Sequence, residues 1–582
     1  MTNHHGVLSR SVFALAALGL VLIAPTAAQM GVSSVPQSAD TATVAHVLNR
    51  LGYGARPGDI ARVKQMTVAA YIEQQLHPEH ISDATLESRL AAFPTLNLST
   101  TELARDYFGP ADALRRQQQQ AAGRGQATPP PTASAGQTMV GDPTMAAPPT
   151  MAGAPGQRPG QPGQSPEMRA ARQKEQQVLQ ELMQARVLRA ATSERQLEEV
   201  LVDFWFNHFN VFSGKGQVRS YLTEYEREAI RPHVLGNFRD MLGAVAESPA
   251  MLFYLDNFQS VDPKAAQRQA DAQEARQQQQ AARGRGRGGL VQADRLQQQR
   301  NRGLNENYGR ELMELHTLGV DAGYTQDDVI AVARAFTGWT IDRARGAGKF
   351  KFDAAMHDRD PKVVMGQTIK AGGKGDGEAV LDLLASHPST ARFIATKLVR
   401  RLVADEPPTS LVDRVAKVFL ETKGDLREVT RAIITSPEFF STEARHAKVK
   451  TPLEFVVSAI RATGADLNNP QPLVAALRTL GMPLYGAQPP TGWGDTAVEW
   501  VNTGALLNRL NFAVQLSSGQ MRGVRVDVRR LAPNTSESSR EGLINTLLMG
   551  DASSATRDTL AVADSPQQLI ALTLGSPEFQ KK

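Results

Sequence analysis

Apolar residues recur every three to four positions over most of this chain, the spacing of an amphipathic helix. In TATVAHVLNRLGYG, Val44, Val47 and Leu48 fall on one stripe and Gly-Tyr-Gly stops the helix. PGDIARVKQMTVAAYIEQQL reads as a further pair of helices. Ser193, with Gln196 three residues on, resembles a capping box before LEEVLVDFWFNHFNVF, and Thr325 with Asp328 does the same before DVIAVARAF. HPSTARFIATKLVRRLV opens on a serine cap. SPEF occurs at 436–439 and 576–579, each time a cap, a proline suited to the first turn and an acid that complements the helix dipole. Period-two alternation is scarce, and KFKFD at 349–353 is the best strand candidate. The pattern predicts an all-α fold, a large multi-helix, bundle-like body with little strand.

Two stretches break the periodicity. A Gln/Pro/Gly-rich segment at 113–175 and a Gln/Arg/Gly-rich one at 262–303 hold too few large apolar side chains to offset the entropy of ordering. Both are expected to be disordered, low-complexity inserts, the second partly helical up to Ala282. The helical parts are then 42–112, 176–261 with FWFNHF, 304–460 with NENYGREL, and 461–582 with a Gly-Trp loop. The inserts also explain the charge. Residues 115–165 carry a net +3 and residues 262–303 a net +5, against +5 for the whole chain, which leaves the body near −3. The basic balance is not a shaped cationic surface, so no nucleic-acid partner is expected.

The first 28 residues read as a secretory signal peptide. His4, His5 and Arg10 precede an apolar run from Val12 to Ala24, and PTAAQ supplies small residues for cleavage near Ala28. An uncleaved N-terminal anchor is the alternative. Export to the periplasm or beyond is expected, with no integral membrane segment after signal removal, since no other stretch reaches 18 uninterrupted apolar residues. The chain has no cysteine, which excludes disulfides, thiol catalysis and thiolate metal sites.

Candidate chemistry comes from polar residues on apolar faces. Wound at about 100° per residue, Leu304, Tyr308, Leu312, Leu315 and Leu318 make one stripe, while Glu306, Arg310 and Thr317 lie opposite. Glu306 and Arg310 are spaced for an ordinary surface pair. Glu311 instead falls inside the stripe, with Asn307 and Glu314 beside it. An unpaired buried carboxylate costs several kcal/mol or is protonated, so Glu311 requires a partner or a wet cleft. His208 is the same anomaly on the face of Leu197, Leu201, Phe204 and Val211. It is either a hydrogen-bonded core histidine or the partner of a carboxylate such as Glu311 or Asp256.

His316, His357, Asp358, Asp360 and Asn257 complete the polar set. His208, Glu311, His316, His357 and Asp358 are the residue types that hold zinc, manganese or iron, so a divalent metal is one reading of them. No HExxH, calcium-loop, Gly-x-Ser-x-Gly, Walker A or dinucleotide glycine motif is present to support a standard chemistry. Trp339, Tyr485, Trp493 and Trp500 sit in or beside loops, where aromatics either stack on sugar-like ligands or close the core.

The succession FWFNHF, SPAMLFYLDN, NENYGRELMELHTLGVDAGYTQDDVIAVARAFTGW, HD and HPSTARFIATKL resembles the bacterial secreted family catalogued as domain of unknown function 1800. The motif residues that match are Asn305, Glu306, Arg310, Glu311, Glu314, Gly319, Tyr324, Asp328, Gly338 and Trp339. Gly309 stands where the family usually has alanine, and would let another helix approach closely. The resemblance implies an exported helical protein, encoded beside a secreted sulfatase-like family and acting with it on the envelope or an extracellular polymer. Two functions fit. One is an exported hydrolase of such a polymer using His208, Asp256, Glu306, Arg310, Glu311 and His316, with or without a metal. The other, preferred because no catalytic spacing appears, is a binding or accessory protein for a sulfatase-like partner or a polysaccharide. Convergence of His208, Asp256 and Glu311 beside an open pocket would favour the hydrolase.

Overall fold

The computed structural model describes residues 34–37, 39–124, 165–282, 303–342 and 348–582. The expected signal peptide lies outside them, as do residues 125–164 and 283–302 of the two inserts. The fold is all-α with short two-stranded ribbons. The helices used below are α1 (Thr41–Arg50), α2 (Pro166–Thr192), α3 (Gln196–His208), α4 (Glu306–Glu311), α5 (Gln326–Ala335), α6 (Pro388–Leu402), α7 (Pro452–Thr463), α8 (Thr503–Ser517) and α9 (Pro566–Gly575). Their apolar faces merge into one main core that runs from Val44 to Phe579, so the stretches separated by the inserts fold on each other.

Helices extend further into the first insert than its composition suggests. One spans Gly109–Arg124 and α2 begins at Pro166, capped by Ser165. The alanines, glutamines and charged residues there are good helix formers, and Met168, Ala171 and Val178 of α2 find core to pack on. In the second insert a helix covers Pro263–Ala282.

Several helix starts are decided by partners distant in sequence. Thr325 and Asp328 make the expected capping box. Ser193 does not, because it ends α2 and donates to Asp83 Oδ2 at 2.5 Å. The first turn of α3 is served instead by Gln75, whose Oε1 accepts from the Leu197 N–H at 3.1 Å. His387, not a serine, caps α6, its Nδ1 accepting from the Ser389 N–H at 3.1 Å. Of the two SPEF segments, the second forms the short helix Pro577–Gln580 and the first only turns around Ser436.

Four short strands lie between α5 and α6. KFKF forms β2 (Lys349–Phe352) and pairs antiparallel with β1 (Trp339–Asp342), Trp339 facing Phe352. β3 (Lys362–Val364) and β4 (Gln367–Ile369) form a second ribbon. Trp339 therefore opens a strand rather than sitting in a loop, and it is fully buried.

A buried ion chain ties the helices together. Arg186 on α2 reaches Glu226 and Asp203, both at 2.8 Å. Arg401 on α6 bonds the other Asp203 oxygen and Glu454 on α7, each at 3.0 Å. Burial opposes ionisation of Glu226, yet the guanidinium groups of Arg186, Arg231 and Arg189 hold it down at about 2. Such a chain contributes little net stability against an apolar equivalent, but loss of one member strands the others.

Candidate functional site

α3 ends at His208, which is buried among aromatic rings, parallel to Phe204 and edge-on to Trp205 and Phe209. Its Nε2 lies 3.1 Å from the His316 carbonyl, which only accepts, so Nε2 carries the proton. That carbonyl belongs to the last turn of the motif helix, where no intrahelical donor exists. His208 is thus the cap of the NENYGREL helix. Its Nδ1 has no partner, and burial pushes its pKa well below the ordinary histidine value.

The motif helix itself changes winding. α4 is α-helical, but Leu312–Thr317 is a π-helix, which rotates the following side chains relative to an ideal wheel. Thr317 is consequently buried while Leu315 is partly exposed, the reverse of the 100° winding, and His316 is buried beside it. The His316 ring sits edge-on to Phe209, 6.4 Å between centroids from that of His208. Burial, and then Lys397 on α6, push His316 down to about 3. Burial also lowers Lys397 to about 8, against the pull of Asp495.

Glu311 is half-buried and makes no hydrogen bond to a described residue. Burial and the neighbouring Glu314 raise its pKa, and Arg310 opposes them. Two tyrosines flank this acid pair. Tyr254 is pushed up to about 12 by burial and by Glu311, and donates to the Gln488 carbonyl at 2.6 Å. Tyr324 is raised by burial and then by Glu314. Glu306 and Arg310 meet through the amide of Gln326, at 2.8 and 2.7 Å, on an exposed surface.

The remaining candidates lie elsewhere. Asp256 is exposed, in the left-handed region at φ 61°, and pairs with Lys215 at 2.6 Å. Asn257 is a helix-to-strand tie, donating to Phe336 and Trp339 carbonyls at 3.1 and 3.2 Å. His357 spends both ring nitrogens inside the ribbon region, on the Thr337 carbonyl at 2.8 Å and on Asp376 at 3.1 Å. Asp358 is held by Arg334 at 2.7 Å, and Asp360 by Lys264 at 2.7 Å. Trp339 and Tyr485 are core residues, and Tyr485 donates to Glu226 at 2.6 Å. Trp493 and Trp500 pack together at 6.2 Å, Trp500 buried and Trp493 partly exposed.

Among the described residues, the one set of three His or acidic side chains whose ligand atoms lie within 4.8 Å of one another is His77, Glu79 and His80. It contains no candidate ligand named above. The Arg427 guanidinium also occupies it, donating to His77 Nδ1 at 3.0 Å. Hence His208, Glu311 and His316 do not share a metal-sized focus, and His357 and Asp358 form their own dry cluster.

A match to the family described as Protein of unknown function (DUF1800) spans residues 46–581. The chain belongs to that family. No curated protein and no solved structure matches it.

In this DUF1800 chain the asparagines of FWFNHFN, which the sequence reading passed over, organise the Gly-Trp loop. Asn207 bonds both backbone groups of Trp493, at 2.8 and 2.7 Å, and Asn210 donates to Ala487 and Pro489 carbonyls at 3.1 and 2.9 Å. Gly492 is at φ +74°, where a Cβ would meet Asn207 oxygens at 2.4 Å, so only glycine fits under the clamp. Two asparagines inside a run of phenylalanine and tryptophan were the available signal. Tyr254 and Tyr324 were marked only by the family resemblance, and what they meet, like the surroundings of Lys397, was hidden because those neighbours come from other parts of the chain.

Proposed function

We propose that this protein is a non-catalytic binding or accessory component of the cell envelope, exported and docked to a sulfatase-like partner with which it engages extracellular polymer. Support comes first from the site. His208, Asp256 and Glu311 occupy three different environments, one dry, one exposed and one half-buried. His208, His357 and most of the candidate acids already serve as ties between helices or loops, an arrangement suited to a rigid scaffold. The observation that carries the reading is an apolar face open to solvent. Leu506, Leu507, Leu510 and Val514 of α8 are 36 to 57% exposed, and Val498, just before the helix, is 80% exposed. A contiguous apolar stripe of this kind marks a protein-docking surface. It adjoins the loop that holds Trp493 and Trp500, which offers an aromatic edge beside the apolar one. No helix of the described residues is long and apolar enough to cross a membrane, so the stripe has no transmembrane role to fill.

The test is co-purification of the leaderless protein with the product of the neighbouring sulfatase-like gene, comparing the natural chain with a Leu507→Lys, Leu510→Lys double variant. The natural chain retains the partner and the variant loses it while keeping its melting temperature. Equal retention by both would overturn the docking surface. Polymer hydrolysis that disappears in Glu311→Gln would replace the accessory role with the hydrolase one.

A further inference from the structure

A cavity of about 720 Å³ opens between α1, the 442–450 segment, the 547–551 turn and the C-terminal residues. That is within the range of small-molecule sites. Its walls are of two kinds. Leu547, Leu548, Met549 and Phe579 make one side apolar, and His46, Arg445, His446, Lys450 and Lys581 make the other cationic or basic.

The acids in the wall are already committed. Asp40 caps α1 through the Thr43 N–H at 2.7 Å, Asp551 pairs with His446 at 2.8 Å, and Glu578 accepts from Ser553 and Thr556 at 2.9 and 2.8 Å. Glu454, the nearby buried acid, serves Arg401 and Lys582. The cations are not committed in the same way. Lys450 is buried and donates only to a neutral group, the Phe579 carbonyl at 2.8 Å. Arg445 donates to the Thr43 hydroxyl at 2.9 Å and forms no ion pair with a described residue, nor does Lys581.

Just behind the wall, Arg50 is 1% exposed and bonds the Ala444 carbonyl, while its Nε and Nη1 have no partner. Burial, with Arg50 adding to it, lowers His46 to about 3, and burial, against the pull of Glu454, lowers Lys450 to about 7. His46, which lines the cavity, also has a buried Nδ1 without a partner. Two lining residues, His446 and Met549, are non-glycine residues at φ 56°. Strain of that kind is held where a binding wall must be shaped. Glu454 acts on Lys450 and Arg50 only from a distance, and buried positive charge without a direct ion pair is costly, so a ligand that brings further negative charge relieves it.

We propose that this cavity binds a small amphiphilic molecule with an oxyanion head, a carboxylate or a phosphate ester. The head lies at Arg445, Lys450 and Lys581 and the apolar body against Leu547, Leu548 and Met549. No residue of the exposed α8 stripe lines the cavity, and the assignment does not depend on the accessory role.

Titration calorimetry of the full chain with octanoate, octyl phosphate and 1-octanol at constant ionic strength tests it. At least one of the two anions binds at least about tenfold more tightly than the alcohol. The Arg445→Gln, Lys581→Gln double variant, both residues lying at the accessible rim, loses that preference while octanol binding is unchanged. Lys450→Met loses it too, with circular dichroism confirming the fold. If neither anion outbinds octanol, or the rim variant keeps the natural preference, the proposal fails.

Discussion

The side chain of Asn207 holds the backbone of Trp493 from both sides, donating from Nδ2 to its carbonyl at 2.8 Å and accepting its N–H on Oδ1 at 2.7 Å. A residue at the end of α3 thereby fixes a loop 286 positions away. Each hydrogen bond contributes about 1 kcal/mol. Asn207→Ala is expected to cost about 2 kcal/mol in urea unfolding and to speed amide exchange across 486–495. Unchanged protection of the loop in the alanine variant would show that the clamp is redundant.

Gly309 sits where α4 meets α5, and a Cβ there would lie 2.8 Å from the Val329 carbonyl oxygen and 3.1 Å from the Ala333 nitrogen. Alanine improves helix propensity by up to about 1 kcal/mol. Against backbone that cannot swing aside, overpacking costs about 1–3 kcal/mol. Gly309→Ala should therefore lower stability despite the better helix former. A stabilised variant would mean that the two helices separate easily.

Asp203 stands between two buried guanidinium groups, those of Arg186 and Arg401. Asp203→Asn removes the charge and leaves both of them short of a partner. A loss of about 3–5 kcal/mol is expected, read from chemical denaturation at neutral pH. A loss below about 1 kcal/mol would place the pair in a solvated setting.

Three buried imidazoles set the response to acid. His46 and His316 are each pushed down to about 3 by burial, and His208 falls well below its ordinary value for the same reason. Their unfolded counterparts take a proton near pH 6.5. The folded state refuses that proton, so stability is complete above pH 6.5 and falls as pH drops below it. Each imidazole contributes about 1.4 kcal/mol per pH unit, roughly 4 kcal/mol per unit for the three. Urea titrations at pH 7.5, 6 and 5 measure the slope, and His208→Asn reduces it by about a third. A flat profile over that interval would contradict the buried neutral state.

Glu311 works in the opposite sense. Burial and Glu314 raise its folded pKa, so ionisation near pH 7 is a modest cost to the fold that vanishes on acidification. Glu311→Gln removes that cost without breaking a hydrogen bond. A gain of up to about 1 kcal/mol at pH 7, discounted for half-exposure, and none near pH 4 is expected. Thermal unfolding that drops in the glutamine variant would show that the carboxylate has a structural partner.

The hydrophobic spacing by itself determined that the chain is helical, that KFKF is a strand, that Thr325 caps α5 and that His208 lies in the core. These are local matters, decided by side-chain periodicity and by groups a few residues apart. Local rules also misplaced residues where the backbone leaves its ideal winding. The π-turn at Leu312–Thr317 exchanges Leu315 for Thr317 on the buried side, and no wheel drawn at a fixed angle contains it. Tertiary structure alone decided what each polar group meets. His208 found a helix-end carbonyl rather than Glu311, Ser193 found Asp83, and His357 found Asp376. A buried donor or acceptor must be satisfied by whatever the packing brings within about 3 Å. In a chain whose core joins Val44 to Phe579, that partner lies hundreds of residues away as readily as four.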